Sequence, residues 1–93
     1  MALYDYTTAI KIDSSNSILY YNRGSVLDSL KQYKEAIDNY TLAIEISPYN
    51  PQNYIARGMS KYNLELRIDA CNDFTVAKSL DSTAVIYLNN FCK

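Results

Sequence analysis

The chain has 93 residues, of which nine are Lys or Arg, ten are Asp or Glu and none is His. A chain of this length makes one small domain with a limited core, and its near-neutral charge disfavours a nucleic-acid-binding module, which normally carries a basic face. Apolar residues are plentiful and glycine and proline are rare, which favours packed helices, and no apolar run is long enough for membrane insertion.

Six helices are predicted in chain order, because small or apolar residues recur at spacings of three and four positions. Tyr20, Gly24 and Leu27 form such a stripe in the second helix. Asn50 followed by Pro51 marks the start of the fourth helix. The predicted helices lie near residues 1–13, 17–30, 33–47, 51–64, 67–81 and 84–91. The expected N-cap residues include Asn16 and, for the last helix, Ser82 or Thr83.

The sequence repeats itself after 34 residues. Tyr20 aligns with Tyr54, and Gly24 aligns with Gly58. The same register extends backwards, where Ala2, Tyr6, Ala9 and Ile12 align with Ala36, Tyr40, Ala43 and Ile46. Self-similarity at a period of this length is typical of repeat proteins built from stacked helix pairs.

The pattern resembles the tetratricopeptide repeat signature, with tyrosine in place of the usual tryptophan. The residues that carry the resemblance are Tyr20, Arg23, Gly24, Leu27, Ala36, Tyr40 and Pro48, and in the second copy Tyr54, Arg57, Gly58, Ala70 and Phe74. The resemblance implies an all-α fold of antiparallel helix-turn-helix repeats, stacked as a right-handed α-solenoid. The expected parts of this single domain, 1–93, are the second helix of a truncated repeat (1–14), repeats at 17–50 and 51–84, and a terminal or capping helix at 84–92.

The helix crossings and the turns carry further expectations. Small residues at Gly24, Gly58, Ala36 and Ala70 are expected to be buried where helices cross. The turn within each pair usually carries glycine, but here it offers Lys31 and Glu65, so we expect these turns to be slightly strained or differently shaped. Arg23 and Arg57 are expected to pair with an acid on a second helix of a repeat, Asp5 or Asp73.

In a solenoid of helix pairs, the first helix of each pair lines the concave wall. This wall implies a protein–protein interaction module that binds a peptide or partner protein in the groove. The candidate binding residues are Tyr21, Asn22, Ser25, Gln52, Ile55, Met59, Tyr62 and Asn89. For the three isoleucines Ile18, Ile55 and Ile86 the alternative is that they pack between neighbouring helices.

One specialised use of the family is disfavoured. Some tetratricopeptide domains grip the C-terminal carboxylates of chaperone tails with asparagines and several cations. Asn22 matches one of those asparagines, but Gln52 and Ala56 stand where the next repeat would carry positive charge. Without cations, burial of two carboxylates costs desolvation that nothing offsets.

The alternative function is a structural scaffold segment that self-associates, as a homo-oligomer, or stacks with further repeats. The chain begins in mid-repeat, and its terminal helices are expected to leave apolar side chains exposed. An enzyme is not expected, since there is no His, no nucleophile–base pair and no phosphate-binding loop. No cofactor or metal is expected, because Cys71 and Cys92 stand alone.

The location and the modification state follow from short motifs. No signal peptide is recognisable, so the chain is expected to be intracellular and cytoplasmic, with Cys71 and Cys92 as reduced thiols. The one glycosylation sequon begins at Asn39 and falls within a predicted helix, so modification there is not expected.

Overall fold

The structure, a computed structural model, describes residues 2–92, which are helical throughout apart from the connecting turns. Met1 and Lys93, the ends of the predicted domain, lie outside the described residues. The helices are α1 (Ala2–Ile12), α2 (Ser17–Ser29), α3 (Tyr33–Ile46), α4 (Pro51–Asn63), α5 (Arg67–Leu80) and α6 (Val85–Phe91), with a short 3-10 turn at Ser82–Ala84 before α6. All six predicted helices are confirmed. None of the described helices combines the length and the apolar character needed to cross a bilayer.

The helix starts follow the expected capping chemistry at two of three positions. The Ile18 N–H donates to Asn16 Oδ1 and the Gln52 N–H donates to Asn50 Oδ1, each at 3.0 Å. Each bond satisfies one backbone donor that the first helical turn leaves free. The prediction that Ser82 or Thr83 caps the last element is wrong, because Asp81 accepts the Thr83 N–H at 3.1 Å.

The turns within the two helix pairs have the shape that glycine normally provides. Lys31 and Glu65 adopt φ values of 61° and 63°. In the first turn, the Gln32 N–H donates to the Leu27 carbonyl at 2.9 Å. In the second turn, the Leu66 N–H donates to the Lys61 carbonyl at the same distance. The expected strain is confirmed, since a non-glycine residue in the left-handed region costs about 1 kcal/mol.

The two helices of each repeat approach closely at a glycine. A Cβ built on Gly24 would lie 2.7 Å from Tyr40 Cε1, and a Cβ on Gly58 would lie 2.6 Å from Phe74 Cε1. Tyr40 and Phe74 are the largest fully buried apolar side chains in the described part of the chain. The glycines therefore make room for one buried ring per repeat, as the 34-residue register predicted.

Replacing Ala36 with leucine should lower the free energy of unfolding by about 1–3 kcal/mol through overpacking. Ala36 is fully buried in a cluster with Leu27 and Tyr40, so the added methylenes have no free volume to enter. Thermal denaturation checks this, with Ala9→Leu on the partly exposed α1 as the control that should cost less. An unchanged melting temperature for Ala36→Leu would contradict the assigned packing face.

Candidate functional site

The first helices of the two repeats, α2 and α4, border an open cavity of about 270 Å³. Its walls bring together three of the predicted binding residues, Tyr21, Asn22 and Gln52. The remaining lining residues are Ser17, Ile18, Asn50 and Asn53. None of the seven side chains carries a formal charge, so the cavity suits a neutral group with hydrogen-bonding capacity.

Asn53 lies in the cavity wall, and sequence reasoning did not single it out. It is only 2% exposed, and its Nδ2 donates to the Ser47 carbonyl at 3.4 Å. The sequence does contain one signal for Asn53: the preceding repeat has an apolar residue, Leu19, at the same position.

The α2 side of the site rests on the buried ring of Tyr40. The Tyr21 and Tyr40 ring centroids are 5.7 Å apart at an interplanar angle of 52°, and the Tyr40 hydroxyl donates to Ser25 Oγ at 3.4 Å. Burial raises the pKa of Tyr40 to about 12. Tyr21 and Ser25, two predicted binding residues, are therefore held by a side chain that stays a neutral donor at physiological pH.

A carboxylate links α2 to α4 beside these residues. Ser60 Oγ donates to Asp28 Oδ1 at 2.9 Å, and Ser60 is fully buried. Partial burial raises the pKa of Asp28 above its usual range, and the hydrogen bond from Ser60 opposes that rise. Desolvation therefore makes the charged form of the Asp28 carboxyl group less favourable than it is in water.

Replacing Asp28 with asparagine should raise the free energy of unfolding at neutral pH by less than about 1 kcal/mol. A raised folded-state pKa means that the folded protein binds the proton more tightly, so the carboxyl group destabilises once pH rises through that pKa. The difference in free energy of unfolding between Asp28→Asn and the unchanged protein should therefore vanish below the unfolded-state pKa near 3.8. Urea denaturation across pH measures it.

The matched control is Asp81→Asn, which should change stability in the opposite direction. Hydrogen bonds from Thr83 lower the pKa of Asp81, so its carboxylate stabilises above its unfolded-state pKa and loses that effect as pH falls. If both variants shifted stability with the same sign at neutral pH, the assignment of the Asp28 shift to burial would be contradicted.

The other predicted binding residues lie elsewhere. Ile55 is buried with Ala77 and Ala84, so its assignment to the groove surface is wrong and the packing alternative holds for it. Ile18 and Ile86 are exposed. The Tyr62 ring packs against Phe91 of α6, with centroids 4.9 Å apart. Met59 is half-buried, Asn89 is exposed on α6, and neither lines the cavity between α2 and α4.

The two repeat arginines have structural partners. Arg57 donates from Nη2 and Nε to the two carboxylate oxygens of Asp73, at 2.7 and 2.9 Å, which confirms one of the expected pairs. Lys61 Nζ lies 3.1 Å from the same carboxylate. Pairing of Arg23 with Asp5 is wrong, because Arg23 Nε donates to Asn39 Oδ1 at 2.6 Å. The partner lies 16 residues after the arginine in both repeats.

The expectation of two reduced thiols is also wrong. Cys71 and Cys92 form a disulfide that joins residues 21 positions apart. The cause is the return of α6 onto α5, where Phe91 packs against Phe74 with centroids 5.9 Å apart and brings the next residue beside Cys71. No free thiol remains within the described residues, and no three potential metal ligands of the His, Cys, Asp or Glu type gather there.

Comparison with known proteins agrees with this architecture. The family model described as tetratricopeptide repeat matches residues 17–50, and no curated protein matches the sequence. The second TPR domain of human RPAP3, solved in complex with the HSP70 peptide SGPTIEEVD, is 26% identical with a TM-score of 0.90, over 98% of this chain and 78% of that one. The Arabidopsis OM64 TPR domain is 28% identical with a TM-score of 0.89, over 96% and 76% of the two chains.

A third similar structure is the TPR2B domain of yeast Sti1 in its pHsp70 complex. It is 25% identical with a TM-score of 0.83, over 91% of this chain and 68% of that one. The matched repeat, these neighbours and the stacked helix pairs agree with one another. Residues 17–50 therefore match a tetratricopeptide repeat, and the described residues have the helical fold of a TPR solenoid with about two and a half repeats.

Proposed function

We propose that the chain is a protein-interaction module that holds an extended peptide of a partner protein in the groove between α2 and α4. The observation that supports this most is the open, uncharged cavity at which Tyr21, Asn22 and Gln52 meet. Aromatic and amide groups on a rigid helical wall supply contact area and hydrogen bonds to a peptide at little entropic cost. Structural neighbours solved with HSP70-derived peptides support an interaction function in general.

The partner segment differs in charge from the peptide in the RPAP3 complex. That peptide, SGPTIEEVD, ends in three acidic residues out of four. The cavity here has no Lys or Arg in its lining, so nothing there pairs with a carboxylate. A neutral segment is therefore the preferred ligand class.

A titration with SGPTIEEVD should give no binding tighter than millimolar, because Gln52 and Ala56 offer no charge to its carboxylates. The double variant Gln52→Lys/Ala56→Arg should gain at least about tenfold in affinity for this peptide, since each added cation can pair with a carboxylate. Isothermal titration calorimetry measures both. Micromolar binding to the natural chain that Asn22→Ala abolishes would contradict the proposed preference.

A pull-down experiment tests the proposal by comparing the partner proteins that the unchanged protein and its tyrosine variants retain. Tyr21→Ala/Met59→Ala should lose partners that the unchanged protein retains, and single Tyr21→Ala should lose most of them. The control is Tyr49→Ala, because Tyr49 lies on the α3–α4 connection and is 82% exposed. Equal retention of all partners by the Tyr21 variants, or crosslinks that map away from α2 and α4, would reject the groove as the binding site.

The alternative is a scaffold segment that self-associates through its terminal helices. Tyr4 and Ile12 on α1 are 73% and 84% exposed, which favours contact with another apolar surface. Light scattering over a concentration series tests it, with Ile12→Glu expected to reduce any dimer. A monomer at all concentrations would reject this alternative and leave the groove proposal in place.

We further propose a non-catalytic role and keep the intracellular, cytoplasmic location as a prediction. The Cys71–Cys92 disulfide disfavours a reducing compartment such as the cytosol, where thiols are normally kept reduced. Alkylation of the protein inside its own cells, followed by mass spectrometry of the two cysteines, distinguishes an oxidising from a reducing location.

A further inference from the structure

We propose that the Cys71–Cys92 disulfide is a redox switch, which holds α6 over a binding surface for a neutral helical segment of a partner protein. The inference rests on the proposed function and deepens it, because α6 then competes with the partner for this surface. The disulfide joins α5 to the residue that follows α6. Neither cysteine is fully buried, so access of a reductant needs only local opening of α6.

The surface beneath α6 includes two residues that the sequence placed on the groove wall. The Phe91 ring lies against the Tyr62 ring, with centroids 4.9 Å apart, and Ile55 belongs to a buried cluster on which Tyr87 packs. Tyr87 and Phe91 also contact the Phe74 ring of α5, at centroid distances of 5.5 and 5.9 Å. Release of α6 would therefore uncover apolar surface on both α4 and α5.

Apart from these ring contacts and the disulfide, little holds α6 in place. The helix has seven residues and none of them is buried, and isolated helices of this length are unstable in water. The two complete repeats, in contrast, each enclose a fully buried ring, Tyr40 or Phe74. Loss of the cross-link therefore favours release of α6 while α2–α5 stay packed.

The sequence of α6 indicates the chemistry of the partner segment. Val85–Phe91 contains no Lys, Arg, Asp or Glu, which agrees with the neutral ligand class that the uncharged cavity lining favours. Its aromatic residues, Tyr87 and Phe91, are four positions apart, so both rings lie on one side of the helix. A partner helix with aromatic residues at this spacing can make the same ring contacts once α6 has left.

The switch requires a dithiol as the electron donor. One thiolate of the dithiol attacks a sulfur of the disulfide and forms a mixed disulfide, which the second thiol of the same molecule then resolves. The dithiol leaves as a cyclic disulfide, and its two protons remain on the thiols of Cys71 and Cys92. The oxidised form therefore keeps the surface covered, and the reduced form opens it.

Fluorescence anisotropy with a synthetic peptide tests the switch. The probe is a fluorescein-labelled copy of residues 84–92 with Cys92→Ser, and the control peptide also carries Tyr87→Ala and Phe91→Ala. Full-length Cys71→Ser/Cys92→Ser should bind the probe at least about tenfold more tightly than the disulfide-containing protein, because α6 is displaced in a larger fraction of its molecules. Treatment of the unchanged protein with dithiothreitol should give the same gain.

A second variant changes only the competing helix. Adding Phe91→Ala to the double cysteine variant weakens the docking of α6 without altering the surface on α4 and α5, so binding of the probe should tighten further. Equal affinity of the oxidised and cysteine-free forms, including no binding by either, would overturn the inference. Equal binding of the control peptide, or no gain from Phe91→Ala, would do the same.

Circular dichroism of the cysteine-free form provides an independent measurement. The inference requires that α1–α5 stay folded when α6 is released, so a general loss of helix in Cys71→Ser/Cys92→Ser would also overturn it. Failure of the switch is distinct from failure of the groove proposal. The Tyr21 capture experiment tests the groove on the disulfide-containing protein, without reference to the position of α6.

Discussion

Replacing Asp73 with asparagine should lower the free energy of unfolding by about 3 kcal/mol, because two cations then lose their shared, desolvated partner. Asp73 is 3% exposed, lies 2.7 Å from Arg57 Nη2 and lies 3.1 Å from Lys61 Nζ. Asparagine keeps the volume of the side chain and removes only its charge. The loss therefore reports charge compensation and not a packing defect, and urea denaturation measures it.

The first repeat supplies the matched control for this variant. There Asn39 already faces Arg23, and Leu27 occupies the position that corresponds to Lys61. The double variant Asp73→Asn/Lys61→Leu copies that arrangement and should recover at least about 1 kcal/mol of the loss, since one of the two uncompensated charges is gone. If the double variant were no more stable than Asp73→Asn, uncompensated charge would not be the cause.

Replacing both cysteines with serine should lower the free energy of unfolding by about 3 kcal/mol, the loop-closure contribution of a disulfide that spans this length of chain. Cys71 and Cys92 join α5 to α6, and the cross-link restricts the unfolded chain more than the folded one. We expect α6 to unfold first in the double variant, because this helix of seven residues has no buried residue of its own. Apart from the disulfide, the packing of Tyr87 and Phe91 on Phe74 holds it in place.

Reduction of the natural disulfide serves as the control. A thiol reductant should lower the stability of the unchanged protein to that of Cys71→Ser/Cys92→Ser and should not affect the double variant. Hydrogen exchange localises the effect, with faster exchange expected in α6 and in the part of α5 beneath it. Identical denaturation midpoints for the oxidised and reduced protein would show that the cross-link constrains nothing.

The helices and the register of the repeats could be predicted from the sequence because each depends on local spacing. Gly24 and Tyr40 recur 34 residues later as Gly58 and Phe74, and each glycine faces the aromatic ring of its own repeat. The strain at Lys31 also followed from position, because a helical turn that normally ends in glycine requires a positive φ whichever residue occupies it.

The candidate site could be predicted only in part. Tyr21, Asn22 and Gln52 meet at one cavity, as the concave position of their helices indicated. Ile55 is buried because Ala84, which follows α5, covers it, and that contact depends on how α6 folds back. Asn53 was missed because spacing assigns a residue to a face but does not show that a polar side chain on that face is buried.

The burial of Asn39 between α2 and α3 makes folding and covalent modification of this residue mutually exclusive. Asn39 is the first residue of the sequon, is 7% exposed and uses its carboxamide to accept from Arg23 and to donate to the Glu35 carbonyl. A glycosyltransferase that attaches a sugar needs the same nitrogen, so it must act before α2 and α3 close. A sugar attached that early would prevent the closure. If the chain were exposed to a glycosyltransferase, the rate at which this one helix pair forms would therefore determine whether it emerges folded or glycosylated.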